Sequence, residues 1–303
     1  MTNRKDPFSF IELNTEPVSV IIAPSYFKAS DNATLAYFDY KPEKASNQTL
    51  IFIHGGGACS SLGYQYLAES LSLKYYIRVI LLDMRGHGFS GGIRGDAPSK
   101  EQVWQDISGL IKEVRIDGTE HIFLGGHSSG GGLVLNYASW DKHEEVSGYV
   151  FVSPKLGYKS NTDRHSFLND PFAKAHIPTL LVNKITSEAI NSHAIAVEMN
   201  YSKELLTAEP LLVNKYTCAV VNAVTPTNPE KQFKLIHKPY YLIVGANDEL
   251  LLPENTIRYS SFSSQDIINK SKAEIIANQT HLGILRVAGD LIGDFLVSVK
   301  SDF

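Results

Sequence analysis

Short runs of consecutive apolar residues recur along this chain, each halted by a glycine-rich or polar turn and most followed by a helically spaced segment. Leu50 to Ile53 runs into His54-Gly55-Gly56-Gly57, and Ile77 to Leu82, apolar but for Arg78, stops at Asp83. Ile122 to Leu124 leads into Gly125-Gly126, Tyr149 to Val152 stops at Ser153-Pro154, and Tyr240 to Val244 stops at Gly245. Runs this short and without polar alternation suit strands buried on both faces, as in a parallel sheet covered by helices. Ser99 with Gln102 forms a capping-box signature, and Val103, Ile107, Leu110, Ile111 and Val114 then fall on one helical face. Leu285, Val287, Leu291, Ile292, Phe295 and Leu296 predict a last helix packed on the sheet, while Val18 to Ile22 and Leu35 to Tyr40 read as an opening antiparallel pair. Strands and helices alternating in this way predict a doubly wound, mostly parallel α/β sheet. With 303 residues, 43% of them hydrophobic, the chain has the apolar material for one large core and is no candidate for disorder.

The alternation lapses between about Lys155 and Leu235, where the chain becomes mostly helical in character. An excursion of that length between two buried strands is too long for a bare loop. It predicts an inserted helical cap, residues 155–235, over the carboxyl edge of a core formed by residues 1–154 and 236–303. Its apolar residues Phe167, Leu168, Phe172, Ile177, Leu180, Leu181 and Ile185 either line a pocket or form the cap's own core.

The chemistry concentrates in Gly126-x-Ser128-x-Gly130, which directly follows an apolar strand and precedes a helical stretch. A sharp strand-to-helix turn lifts the central hydroxyl above the sheet edge, and small residues two before and two after let the two backbones approach. Ser129 is the rival, but His127 stands two before it. A serine hydroxyl needs a base, and in this architecture an acid and then a histidine follow the nucleophile in chain order. Asp248 lies just past the Tyr240 to Val244 run, with Glu249 beside it, and His281 follows Glu274 to Ala277 and a polar turn. Each stands beyond the carboxyl end of a predicted strand, the edge where open α/β sheets keep their sites. The glycines after His54 expose backbone N–H groups to a developing oxyanion. Gly56 and Ser129 are the candidate donors, with Gly57 second to Gly56.

Asp83-Met84-Arg85-Gly86-His87-Gly88-Phe89-Ser90 is similar to the D-x-R-G-H-G-x-S stretch after the fourth strand of the monoacylglycerol lipase and lysophospholipase-like branch of the α/β-hydrolase superfamily. Gly126-His127-Ser128-Ser129-Gly130-Gly131 resembles that branch's elbow, and the resemblance runs in order from about Asp31 to the C-terminus. His54-Gly55-Gly56-Gly57 departs from the branch's frequent His-Gly-x-Gly-Glu form. The resemblance implies a serine hydrolase that cleaves acylglycerols, lysophospholipids or small acyl esters and needs no metal or organic cofactor. Asp83, Arg85 and His87 are then expected to brace the loops around the site.

Other classes are disfavoured by composition. A net charge of −4 gives no reason to expect nucleic acid or a polybasic membrane surface. Two separated cysteines, Cys59 and Cys218, make no disulfide framework or thiolate zinc site. No apolar stretch reads as a secretory signal or a membrane span, so an integral membrane segment is not expected and a cytoplasmic protein is. No motif specifies an oligomeric state. The alternatives on the same scaffold are a serine aminopeptidase, a thioesterase or perhydrolase, and a non-catalytic small-molecule-binding protein. An aminopeptidase would need cap carboxylates for the substrate ammonium, for which Glu188, Glu198, Glu204 and Glu209 are available.

Overall fold

The structure is a computed structural model that describes residues 22–165 and 172–300. Its strands are β1 (Ser25–Lys28), β2 (Thr34–Tyr40), β3 (Gln48–Ile53), β4 (Arg78–Leu82), β5 (His121–His127), β6 (Gly148–Val152), β7 (Ala173–Ala175), β8 (Ile195–Met199), β9 (Lys215–Thr217), β10 (Tyr240–Gly245) and β11 (Lys272–Ile276). Eight of them form one sheet in the order β1-β2-β4-β3-β5-β6-β10-β11. β2 runs opposite to the other seven strands, which are parallel to one another. The opening antiparallel pair is thus β1 with β2. Leu35 to Tyr40 falls where expected, whereas the other predicted strand, Val18 to Ile22, lies outside the described residues except for Ile22, which is not in a strand.

Every residue of β3, β6 and β10 is buried. Their side chains alternate between two separate cores, with Ile51 and Ile53 in one and Leu50 and Phe52 in the other. Helices cover both. On the first face lie α2 (Lys100–Val114), through Val103, Ile107, Leu110, Ile111 and Val114, and α3 (Ser129–Ala138), through Leu133 and Tyr137. On the other lie α1 (Tyr64–Lys74), through Leu67 and Leu71, and the helix Leu285–Lys300, through Leu285, Ile292, Phe295 and Leu296. Each such side chain contributes roughly 1.5–3 kcal/mol by leaving water. A one-residue slip in register would send every side chain of such a strand into the opposite core, where it does not fit its neighbours. The α2 cap is half of a capping box: Ser99 Oγ accepts from Gln102 N–H at 3.1 Å, while the Gln102 amide turns to Asp106 and Ser30.

The excursion holds more than helices. Between β6 and β10, β7, β8 and β9 form a separate three-stranded antiparallel sheet, beside helices at Ile177–Ile185, Lys203–Ala208 and Cys218–Val224. Strand β8 is only five residues long, with Ala196 buried between more exposed neighbours. So short a run carries little periodic signal against helical flanks. Of the candidate pocket residues, Phe172 is buried while Leu181 and Ile185 face solvent. Phe167 and Leu168 lie outside the described residues.

Parallel pairing aligns the strand ends that matter. Ile53 pairs with Gly126, His127 with Val152, Val152 with Ile243, and Gly245 with Ile276. The segments that follow β3, β5, β10 and β11 therefore leave the sheet at one edge. The Asp83–Ser90 stretch is a brace beside it. Asp83 accepts from Ser60 and Phe89 N–H, and the Arg85 guanidinium, almost wholly buried, bridges Asp106 and Asp31 at 2.7–3.0 Å.

Candidate active site

Ser128 is the residue at which β5 gives way to α3, and its backbone is strained at φ 53°, ψ −119°. A side-chain-bearing residue holds such a conformation at a cost of about 1–3 kcal/mol, and only where its surroundings over-determine it. They do so here. A β-carbon on Gly126 would lie 2.4 Å from the Gly130 carbonyl group, and one on Gly130 would lie 2.4 Å from Ile53 O. Strand, turn and helix close on one another only because both positions are glycine. Ser128 N–H donates to Val152 O and Ser128 O accepts from Gly132 and Lys155 N–H, which ties the turn on both sides. Ser129, the rival, opens α3 without a positive φ.

Asp248 and His281 meet. The β10 and β11 loops are tied by Ala246 N–H to Ile276 O and by Asn247 N–H to Gln279 O, both 2.9 Å. His281 Nδ1 then lies 2.8 Å from Asp248 Oδ2, with both residues buried. Asp248 Oδ1 accepts from Leu250 and Leu251 N–H at 2.9 and 2.8 Å. Burial raises the Asp248 pKa, but the His281 charge and hydrogen bond and the two backbone N–H groups outweigh it and hold the carboxyl below its ordinary range. The neighbouring Glu249 has a different task, accepting His281 N–H at 2.9 Å.

The far nitrogen of His281, Nε2, is buried without a hydrogen-bond partner among the described residues. Its ring packs against that of His127, the residue before Ser128, with centroids 4.8 Å apart. No hydrogen bond between Ser128 and His281 Nε2 is made in this conformation.

Gly56 and Ser129 face each other, since a β-carbon on Gly56 would come 3.0 Å from Ser129 Oγ. Gly57, the second candidate donor, is occupied: its N–H donates to Tyr216 Oη at 2.7 Å. Gly55 N–H likewise donates to Tyr64 Oη at 2.7 Å. Sequence reading missed both tyrosines, as well as the part played by His127, which lies inside the elbow motif. Tyr64 had no local signal, and Tyr216 lies 159 residues from its partner.

Burial leaves the surrounding histidines neutral. It pushes His127 down to about 3, with His281 adding to the effect, and it holds His87 well below the ordinary value, helped by His54. A ring that stays neutral in the folded chain but titrates near 6.5 when unfolded leaves stability unchanged above that pH and penalises the folded state below it. Each costs at most about 1.4 kcal/mol per pH unit of acidification. His87 and His127 together are expected to lower unfolding free energy by about 2 kcal/mol between pH 6.5 and 5.5, and by less than about 1 kcal/mol between pH 7.5 and 6.5. Urea titrations at pH 7.5, 6.5 and 5.5 measure this. A flat profile would mean the rings titrate alike folded and unfolded.

Among the described residues, no group of three or more His, Cys, Asp or Glu is arranged to hold a metal ion, and no helix is long and apolar enough to cross a membrane.

A family model described as serine aminopeptidase, S33, matches residues 44–281. The chain is 29% identical over 148 residues to monoglyceride lipase from Saccharomyces cerevisiae, covering 46% of each chain. It is 30% identical over 141 residues to the bifunctional esterase/perhydrolase DCH of Acinetobacter calcoaceticus, covering 46% of this chain and 48% of the other. Both matches span less than half of the relative's own length. A solved structure of a soluble variant of the yeast monoglyceride lipase with a substrate analogue superposes with a TM-score of 0.73, covering 94% of this chain and 98% of that one at 19% identity.

Proposed function

The chain belongs to the serine aminopeptidase S33 family of α/β-hydrolases, and from that premise we propose that it is a carboxylic ester hydrolase working through an acyl-enzyme on Ser128. The observation that carries the reading is the buried Asp248–His281 pair, whose imidazole, with no hydrogen bond at Nε2, packs against the ring of the residue that precedes a strained elbow serine.

In this mechanism Ser128 Oγ attacks the ester carbonyl carbon while His281 Nε2 takes its proton. Asp248 holds the proton on Nδ1 and stabilises the imidazolium. Gly56 and Ser129 N–H donate to the oxyanion. Collapse of the tetrahedral adduct expels the alkoxide, which His281 protonates. Water, deprotonated by the same nitrogen, then releases the acid and restores Ser128. Residues 155–235 act as a cap over the site, with 1–154 and 236–303 as the hydrolase core. The substrates proposed are acylglycerols, lysophospholipids or small acyl esters.

The family's description raises the aminopeptidase alternative, which needs acidic groups free to hold an ammonium. Glu188 is paired with Lys100, and Glu198 with His176 at 2.7 Å and Lys215 at 3.4 Å. Those two carboxylates are already compensated, which favours the ester. Parallel assays of p-nitrophenyl esters from two to sixteen carbons and of aminoacyl-amides decide the matter. Ester turnover with Ser128 labelling by a fluorophosphonate is expected. Amide turnover in preference to ester would overturn the reading, and absence of both labelling and turnover would favour a binding protein.

A further inference from the structure

The polar groups of the His54–Ala58 loop can be followed one by one. Gly55 N–H goes to Tyr64, Gly57 N–H to Tyr216, and Ala58 N–H back to Gly55 O at 3.2 Å. Gly56 O accepts from Tyr201 Oη at 3.0 Å, and Gly57 O accepts from Val213 N–H at 2.8 Å. Gly56 N–H makes no hydrogen bond to the described residues, and it is the one beside Ser129. Tyr201, Val213 and Tyr216 all come from the excursion between β6 and β10.

The two tyrosines that hold the flanking N–H groups belong to matching relays. Carbonyl oxygens only accept, so His281 O, 2.9 Å from His127 Nε2, fixes the proton on that nitrogen. His127 Nδ1 then accepts from Tyr64 Oη at 2.9 Å, whose oxygen receives Gly55 N–H. On the other side, Arg85 O, 2.8 Å from His87 Nδ1, fixes that proton. His87 Nε2 accepts from Tyr216 Oη at 2.7 Å, and that oxygen receives Gly57 N–H. With both rings neutral, each relay has a single arrangement of protons. The first joins the glycine loop to the backbone of His281. The second joins it to the Arg85 brace through a residue of β9.

We propose that Tyr216, with His87 behind it, is a positioning residue for the oxyanion hole: it holds the Gly57 peptide so that Gly56 N–H, and not Gly57 N–H, meets the substrate oxygen. The proposal rests on the ester-hydrolase reading. Three consecutive glycines have wide backbone freedom, and an oxyanion donor acts only within about 2.7–3.1 Å of the developing charge. Clamping the peptides on both sides removes that freedom without occupying the donor itself. Because Tyr216 sits on β9, a displacement of the three-stranded sheet would change transition-state stabilisation before it changed ground-state binding.

Tyr216→Phe keeps the ring, which packs edge-on against His87 with centroids 5.3 Å apart, and removes only the hydroxyl. With p-nitrophenyl acetate, kcat is expected to fall by about 10- to 100-fold with KM within about twofold. Affinity for an alkyl boronic acid, which forms a tetrahedral adduct on Ser128, is expected to fall in parallel. Circular dichroism should match the wild type. A second pair keeps the test open if that variant folds poorly: His87→Gln, whose amide oxygen can accept the Tyr216 proton, should retain more kcat than His87→Leu. An active wild type with an equally active Y216F, or a loss confined to KM, would overturn the positioning role alone. A wild type that turns over no ester and takes no fluorophosphonate label would instead overturn the ester-hydrolase reading beneath it.

Discussion

Ser128→Ala is expected to lower kcat for p-nitrophenyl ester hydrolysis by roughly 10⁴- to 10⁶-fold if the three side chains act as a unit. The fold should survive. The Ser128 side chain makes no capping hydrogen bond to α3, and alanine has the same β-carbon to accommodate at φ 53°, so the strain is unchanged. The residual rate would report substrate binding and the backbone donors, acting with water as the nucleophile. Native turnover by the variant would remove Ser128 from the mechanism and direct attention to Ser129, one residue on.

Asp248→Asn is expected to cost about 10⁴-fold in kcat with the fold again intact. The reason lies in the two backbone groups at the other carboxylate oxygen. Leu250 and Leu251 N–H both donate to Oδ1, so an asparagine would set its carbonyl oxygen there and turn its NH₂ toward His281 Nδ1. That nitrogen must then accept, which places the imidazole proton on Nε2, where it cannot receive a proton from Ser128. Two donors facing a buried oxygen thus dictate the tautomer of a ring on another loop. The variant's rate and its fluorophosphonate labelling rate should fall together. A labelling rate equal to the wild type would show that the base does not depend on Asp248.

Much of the fold was legible because burial on both faces leaves a strong local trace. The all-apolar runs at Leu50 to Ile53, Tyr149 to Val152 and Tyr240 to Val244 could hardly have been surface strands, and Val103 to Val114 could hardly have faced solvent on every side. The three-stranded sheet of the excursion was not legible. Its strands are three to five residues long, shorter than the window over which alternation can be told from helical spacing.

The candidate site divides along the same line. Local sequence determined the elbow, because two glycines flanking Ser128 act through sterics within five residues, and it determined the order of serine, acid and histidine along the chain. The sequence pointed to Asp248 rather than Glu249, but only tertiary structure brings the Asp248 carboxylate to the His281 ring. The sequence likewise ranked Gly56 ahead of Gly57, and tertiary structure supplies the reason, because Tyr216 takes the Gly57 N–H. Both outcomes depend on which groups separate loops bring within about 3 Å, and a hydrogen bond between residues 159 positions apart leaves no periodic mark in the sequence between them.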